Sequence, residues 1–246
     1  MGLRDGARVA ELVSSPSRIT YQRMHFSMEM GMQLVGNIYL PDGDYHFAGF
    51  GADLEHYQEP QRLKAFEYVT TWDCAVDLGA HVGIFSRHFA QHFQRVIAFE
   101  PTFETRECLV RNVPDNVTVI PYACGDREDT VIFRRHVKNS GGSEMVENRA
   151  EIPGFEHYTV KMITLDSLEL QGVGLVKIDV QGCEPMVLRG AADTLRRCKP
   201  VVLIEEKPLG GPSGSVDHIE VSRNILLGYG YSERERVGAD RIYICE

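Results

Sequence analysis

Residues 75–90 read AVDLGAHVGIFSRHFA, and no other stretch constrains the fold as tightly. A short apolar run ends in an acid, Asp77. Gly79 and Gly83 follow, and an amphipathic helix starts at once. A tight turn at the carboxyl end of a strand sets backbone N–H groups and a helix N-terminus beside a ligand. A second apolar run at 96–99 ends in Glu100. An acid at that strand end can accept hydrogen bonds from both ribose hydroxyls of a nucleoside cofactor. Together the two elements predict a chain that holds a nucleoside.

From Cys74 onward, strand-like and helix-like runs alternate. Strands are expected at 74–78, 95–99, 117–121, 175–180 and 201–205, and helices at 83–92, 102–112, 184–197 and 218–227. Strands at 130–135 and 158–163 flank a long loop, 137–157. Residues 229–234 and 241–245 form a closing pair. Such alternation predicts an α/β fold with a mostly parallel sheet covered on both faces. The final hairpin adds one antiparallel strand. Upstream, residues 1–15 read as a loose tail or short helix. HFSMEM and QLVGNIYL, broken by Gly31 and the turn Pro41-Asp42-Gly43, read as two or three short antiparallel strands. Residues 57–72 read as a helix entering the core. The expected division is a tail and β cap over 1–56 and a ligand-binding domain over 57–246.

Composition excludes several classes. The net charge of −9 argues against broad binding of a nucleic-acid backbone, which needs a basic face. Arg134, Arg135 and Lys138 form a small basic group that reads as a solvated strand edge. The six cysteines make no CxxC pair and no zinc-ligand spacing, as in a reducing cytoplasm. No apolar run approaches the ~18 residues of a membrane span, and the N-terminus lacks a secretory signal.

In a doubly wound sheet, ligands sit outside the carboxyl ends of the strands. Those ends carry Asp77 with its glycine loop, Glu100, the stretch Ala123-Cys124-Gly125, residues 179–184, and Glu205-Glu206. Asp77 would repel a pyrophosphate and attract an ammonium, so S-adenosylmethionine fits better than a dinucleotide. The candidate cofactor residues are Asp77, Gly79, Ala80, His81, Gly83, Glu100, Pro101, Ala123, Cys124 and Asp179.

VDLGAHVGIFS, IAFEP, TLDSL, VKIDVQGCEPMVLRGA and PVVLIEE, in that order, resemble the successive motifs of the FkbM family of S-adenosylmethionine-dependent methyltransferases. The resemblance covers residues 75–207. It implies a Rossmann-like class I methyltransferase, with a mostly parallel seven-stranded sheet, helices on both faces and a reversed last strand. It also implies methyl transfer to an oxygen, often of a sugar or natural-product hydroxyl. Two positions depart from the family pattern. His81 stands where the family usually has Asn, and Gln181 replaces an acid, removing one negative charge beside the expected reaction centre. The compact acidic chain also resembles viral or phage versions of the fold, whose compartment would be the host cytoplasm.

Methyl transfer needs an aligned acceptor and, for a hydroxyl, removal of its proton. Asp179, Glu184 and Glu205 are the candidate catalytic carboxylates. Clustered acids raise one another's pKa, so one could act as base near neutral pH. A divalent metal held by the same oxygens is the less favoured use of them, and no metal site is assigned. Lys177 shares a strand face with Asp179 and reads as its buried salt-bridge partner. His88 and His92 read as solvent-facing imidazoles. His136, His157, His218, Tyr57 and Glu59 are further residues within reach of a ligand, and Asn139-Ser-Gly-Gly-Ser143 reads as a flexible polar turn. The acceptor is expected to be a small molecule or carbohydrate, with no membrane partner. Alternatives are a nucleotide or nucleic-acid methyltransferase, disfavoured by the charge, and a catalytically silent cofactor-binding module.

Overall fold

The computed structural model describes residues 31–146, 149–208 and 217–246. The expected tail at 1–15, the strand HFSMEM and most of the Gly/Pro/Ser-rich loop at 207–216 lie outside the described residues.

The centre is a seven-stranded sheet. Its parallel strands are β3 (Cys74–Leu78), β4 (Arg95–Phe99), β5 (Val117–Ile120), β10 (Val173–Ile178) and β11 (Val201–Glu205). The closing pair is β12 (Tyr231–Val237) and β13 (Asp240–Cys245). The order across the sheet is β12-β13-β11-β10-β3-β4-β5, with β13 antiparallel to both of its neighbours. This is the class I methyltransferase arrangement, Rossmann-like with a reversed last strand. β3 and β10 are buried along their whole length, which is why they are apolar apart from Asp77 and Lys177, which pair with each other across the two strands.

Alternate residues of these strands feed two cores. Val76, Leu78, Val176, Ile178, Val202 and Ile204 pack with residues of α4 (Glu184–Gly190), α5 (Ala192–Cys198) and α6 (Asp217–Gly228). Ala75, Leu175, Val201 and Leu203 pack on the other face with Ala65 of α1 (Glu59–Phe66) and with Phe85 and Phe89 of α2 (Ile84–Phe89). The remaining helix is α3 (Phe103–Asn112).

Two antiparallel strands stand where the β cap is expected, and three further local expectations are corrected. QLVGNIYL is itself a hairpin, β1 (Met32–Val35) and β2 (Ile38–Pro41), turning at Gly36 with φ +61°. The helix expected over 57–72 is confined to α1. The helix expected over 184–197 is two helices. Its break follows Gly190, where a Cβ would collide with the Gly125 carbonyl, and Asp166 restarts the chain by accepting from the backbone N–H groups of Asp193 (3.0 Å) and Thr194 (2.8 Å). Lastly, the loop expected at 137–157 contains a strand. β6 (Ala123–Cys124), β7 (Asp129–His136), β8 (Asn139–Val146) and β9 (Phe155–Ile163) form a second sheet in the order β6-β9-β7-β8. Asn139-Ser-Gly-Gly-Ser143 is therefore the start of β8 and not a flexible turn. This sheet packs Phe133, Met145, Val160 and Met162 against Met186 of α4.

The hairpin lies on the main domain, with Ile38, Leu40, Phe47 and Leu54 sharing one core with Val82, Ile84 and Cys108.

Candidate active site

A cavity of about 1280 Å³, its open mouth included, lies at the carboxyl ends of β3, β4, β10 and β11. Its floor is the central sheet. One wall comes from residues 46–47 after β2, the other from the second sheet through Phe133, Ser140, Ser143, Met145 and Met162.

The glycine turn forms the first edge. Gly79 sits at φ +80°, and a Cβ there would collide with the Asp179 carbonyl, so the turn presses against the β10 end. His81, at φ +55°, donates its backbone N–H to Glu100 (2.8 Å). The other Glu100 oxygen accepts the Thr102 N–H at 2.8 Å. Burial raises the Glu100 pKa although these hydrogen bonds favour the charged form. The Thr102 and Thr105 hydroxyls also act on Glu100, which still lines the cavity and can receive hydroxyl donors there. The His81 ring meets Ser140 Oγ at 2.6 Å, and Ser140 in turn donates to Asp44. Burial, with His46 beside it, depresses the His81 pKa to about 3 and leaves the ring neutral.

The second edge is a carboxylate group. Gln181 Nε2 donates to Asp179 Oδ1 (2.9 Å) and lies 3.2 Å from Glu205 Oε2. Burial works to raise the Asp179 pKa, but Lys177 and the Gln181 hydrogen bond outweigh it and hold it low. Glu205 moves the other way. Burial and the Asp179 charge push it up to about 7. One acid is thus ionised and its neighbour is poised at neutrality. An acid in place of Gln181 would remove the donor that joins them and add a further charge. Tyr57 also lines the cavity, its phenol pushed up to about 12 by burial and these carboxylates.

Of the residues singled out from sequence, Gly79, Ala80, His81, Glu100, Pro101, Ala123, Cys124, Asp179 and Glu205 line this one cavity. Asp77, Gly83 and Glu184 stand behind its wall. Asp77 is fully buried, accepting from Ser86 Oγ at 2.6 Å and lying 3.3 Å from Lys177 Nζ. The lysine contact is an ion pair without hydrogen-bond alignment. Lys177 also donates to the Gly79 carbonyl (2.8 Å) and lies 3.6 Å from Asp179. Burial would lower its pKa, but the two aspartates raise it above the ordinary lysine value. Glu184 Oε1 accepts the backbone N–H groups of Val180 (3.2 Å) and Gly182 (3.1 Å), so it shapes the loop that presents Asp179 and Gln181.

His88, expected to face solvent, stacks half-buried on Phe66 at 5.4 Å between ring centres. His136, His157 and His218 do not line the cavity. Arg134 pairs with Glu144, and Arg135 with Glu104 (3.1 Å) and Glu156 (2.6 Å), so neither offers an unpaired basic face. Among the described residues no group of three or more His, Cys, Asp or Glu side chains is placed to hold a metal ion, and no helix is long and apolar enough to cross a membrane.

Sequence reasoning missed Asp44, His46 and Asp240. The first two come from a loop with no motif. Asp240 reaches the carboxylate group only because β13 inserts beside β11.

The sequence profile of the Methyltransferase FkbM domain matches residues 77–233, well over half of the chain. The chain belongs to the FkbM methyltransferase family. Among curated relatives, this FkbM-family chain is 27% identical over 161 residues to the hexuronic acid methyltransferase AglP of Haloferax volcanii. That match takes in 61% of this chain and 63% of AglP, so the chain spans just under two thirds of that relative's length. Among solved structures, the methyltransferase FkbM of Methylobacillus flagellatus superposes with a TM-score of 0.49 at 15% identity, over 78% of this chain and 55% of that one. A precorrin-6y C5,15-methyltransferase of Geobacter metallireducens gives 0.43 at 15% identity, over 76% and 86%.

Proposed function

We propose that this FkbM-family protein is an S-adenosylmethionine-dependent methyltransferase that methylates a hydroxyl oxygen of a small-molecule or carbohydrate acceptor. The observation that carries the reading is the Asp179–Gln181–Glu205 group. It faces the same cavity as the glycine turn and Glu100, and its two acids are held in different protonation ranges.

The residues present fit the cofactor. Glu100 retains acceptor capacity for ribose hydroxyls, and the stretch 122–124 with Pro101 offers a largely apolar wall for a base. The turn at 79–81 brings backbone against the methionine portion. When bound, S-adenosylmethionine supplies an electrophilic methyl group. The protein's part is to align the acceptor oxygen and take its proton. Glu205, near pH 7 half ionised, is the base, a role worth roughly 10²–10⁴-fold in rate. Asp179 orients the acceptor. Asp77 and Glu184 act at one remove, the first through Lys177 and the second by shaping the 180–183 loop. The described residues from 31 to 56 are assigned to a cap, and those from 57 onward to the methyltransferase domain.

The acceptor class is supported by the sugar-directed name of AglP and by the polar serines and aromatic rings on the two outer walls. Calorimetric titration with S-adenosylmethionine, its demethylated product and NAD tests the cofactor. Transfer of a labelled methyl to a panel of neutral sugars and uronic acids tests the acceptor. Binding of NAD in preference to the methionine pair overturns the cofactor assignment. Methyl incorporation at nitrogen or carbon overturns the oxygen assignment.

A further inference from the structure

Asp240 opens β13 and pairs in register with Glu205 of β11. Directly opposed residues of an antiparallel pair have their Cβ atoms about 4.5–5.5 Å apart on one face of the sheet. Asp240 does not line the cavity, yet it is 5% exposed, and its Oδ2 is a buried oxygen without a hydrogen-bond partner. A buried carboxylate oxygen with no donor is costly while charged. Asp240 therefore carries its charge reluctantly, and the residue directly opposite it on the neighbouring strand is the proposed base, with Asp179 also near enough to raise it.

Charge counting points the same way. Asp77, Asp179, Glu205 and Asp240 lie around Lys177, which already serves Asp77 and Asp179, while the buried guanidinium of Arg62 acts on Asp77 and that of Arg241 on Asp240. Lys207 lies beyond the end of β11 and acts on Glu205 from the cavity rim. From α1 and the segment before it, Gln61 holds Asp240 by a hydrogen bond, and Tyr57 faces both acids. Arg241, next on β13, points to the opposite face, toward Glu206 (3.5 Å) and Glu233 (3.7 Å). Glu205 and Asp240 are paired in register while the two ion pairs of Lys177 go to Asp77 and Asp179, so ionising both of them in low dielectric is costly and ionisation of one disfavours that of the other.

We propose that Asp240 is a positioning residue of the methyl-transfer site: from the strand beside Glu205, and outside the cavity, it governs whether Glu205 carries a proton. This rests on Glu205 being the base. The direction of both acids agrees with it. Burial and the Asp179 charge push Asp240 up to about 6, just below Glu205. Protonating Asp240 removes a negative charge from behind Glu205 and so favours its ionised, proton-accepting form.

The test needs neither cofactor nor acceptor. Protein labelled with ¹³C at the Glu and Asp side-chain carboxyls is titrated by NMR from pH 4 to 9, with Glu205 assigned from Glu205→Gln. In wild-type protein the Glu205 signal is expected to titrate in two steps, the minor one coinciding with Asp240. In Asp240→Asn it titrates in one step, lower by at least about one pH unit, as expected for loss of a like charge at this separation. A Glu205 curve that Asp240→Asn leaves in place, or moves upward, overturns the proposal. If that variant does not fold, a single-step wild-type curve with no inflection where Asp240 titrates overturns it equally. If the coupling is found but no acceptor is methylated, the reading of Glu205 as base fails while the coupling stands. If methylation is found with the pH profile of Asp240→Asn unshifted, Asp240 fails alone.

Discussion

Replacing Lys177 by Met tests the physical frame of the site most directly. Met matches the aliphatic stem but removes the ammonium, which lies 3.3 Å from Asp77, 3.6 Å from Asp179 and 2.8 Å from the Gly79 carbonyl. Asp77 is fully buried, so its charge is left with the Ser86 hydrogen bond and the more distant Arg62. Removing one partner of a buried ion pair costs about 3–5 kcal/mol. For a domain of this size that is a fall of about 6–20 °C in Tm. Urea denaturation at pH 7 measures the loss directly. The double variant Asp77→Asn with Lys177→Met removes both charges and should recover more than half of it, because a neutral pair of similar shape leaves no uncompensated buried charge.

The pH dependence adds a second check. The Lys177 pKa is raised on folding, so its contribution is full below the unfolded value of 10.5 and is lost as pH rises through the higher folded one. Asp179 is lowered on folding, so its contribution is present above the unfolded value of 3.8 and is lost as pH falls through the lower folded one. The gap between wild type and Lys177→Met should therefore be a plateau between roughly pH 5 and 9 that narrows at both ends. A loss below about 1 kcal/mol at pH 7, or a double variant no better than the single one, would refute the view of Lys177 as the charge that holds the site together.

Glu100→Gln should weaken S-adenosylmethionine binding by about 10-fold or more in calorimetry, through poorer acceptance from the ribose hydroxyls. Asp179→Ala should leave that affinity within a few fold but lower methyl transfer by about 10²-fold or more. Equal loss of binding in both would break the division of roles. Because the Glu205 pKa stands near 7, transfer should rise with pH through neutrality, and Glu205→Gln should abolish that limb of the kcat/KM profile. Gly141→Ala puts a Cβ into the His46 ring, so it should cost about 1–3 kcal/mol in urea and raise the acceptor KM more than the cofactor Kd.

The parallel strands and the glycine turn were legible because each is a local pattern. Strands buried on both faces are unbroken apolar runs, and an acid or glycine at their end is visible without knowing their neighbours. β8 was not legible. SGGS has turn composition, and it lies within a strand because Asn139 before it and Glu144–Val146 after it pair with β7, and because Gly141 lets His46 close over it. The break between α4 and α5 was hidden likewise. Gly190 meets the Gly125 carbonyl, a contact between segments 65 positions apart.

The same distinction divides the site. Asp77 and Glu100 look alike in sequence, each an acid ending an apolar strand, yet only Glu100 reaches the cavity. The difference lies in strand register. β10 sets Lys177 directly beside Asp77, and both face Phe85 on the α2 side of the sheet. The lysine binds the aspartate and turns its charge inward. Nothing near residue 77 announces a cation a hundred positions away. Asp240 repeats the case, placed behind Glu205 by a hairpin whose insertion point no local pattern specifies. What an acid at a strand end does is decided by what the neighbouring strand carries at the same level. In this protein the neighbour's residue is Lys177 for Asp77 and Asp240 for Glu205. The first pairing withdraws an acid from the cavity, and the second adds a buried charge behind Glu205 to the burial and the Asp179 charge that already raise its proton affinity.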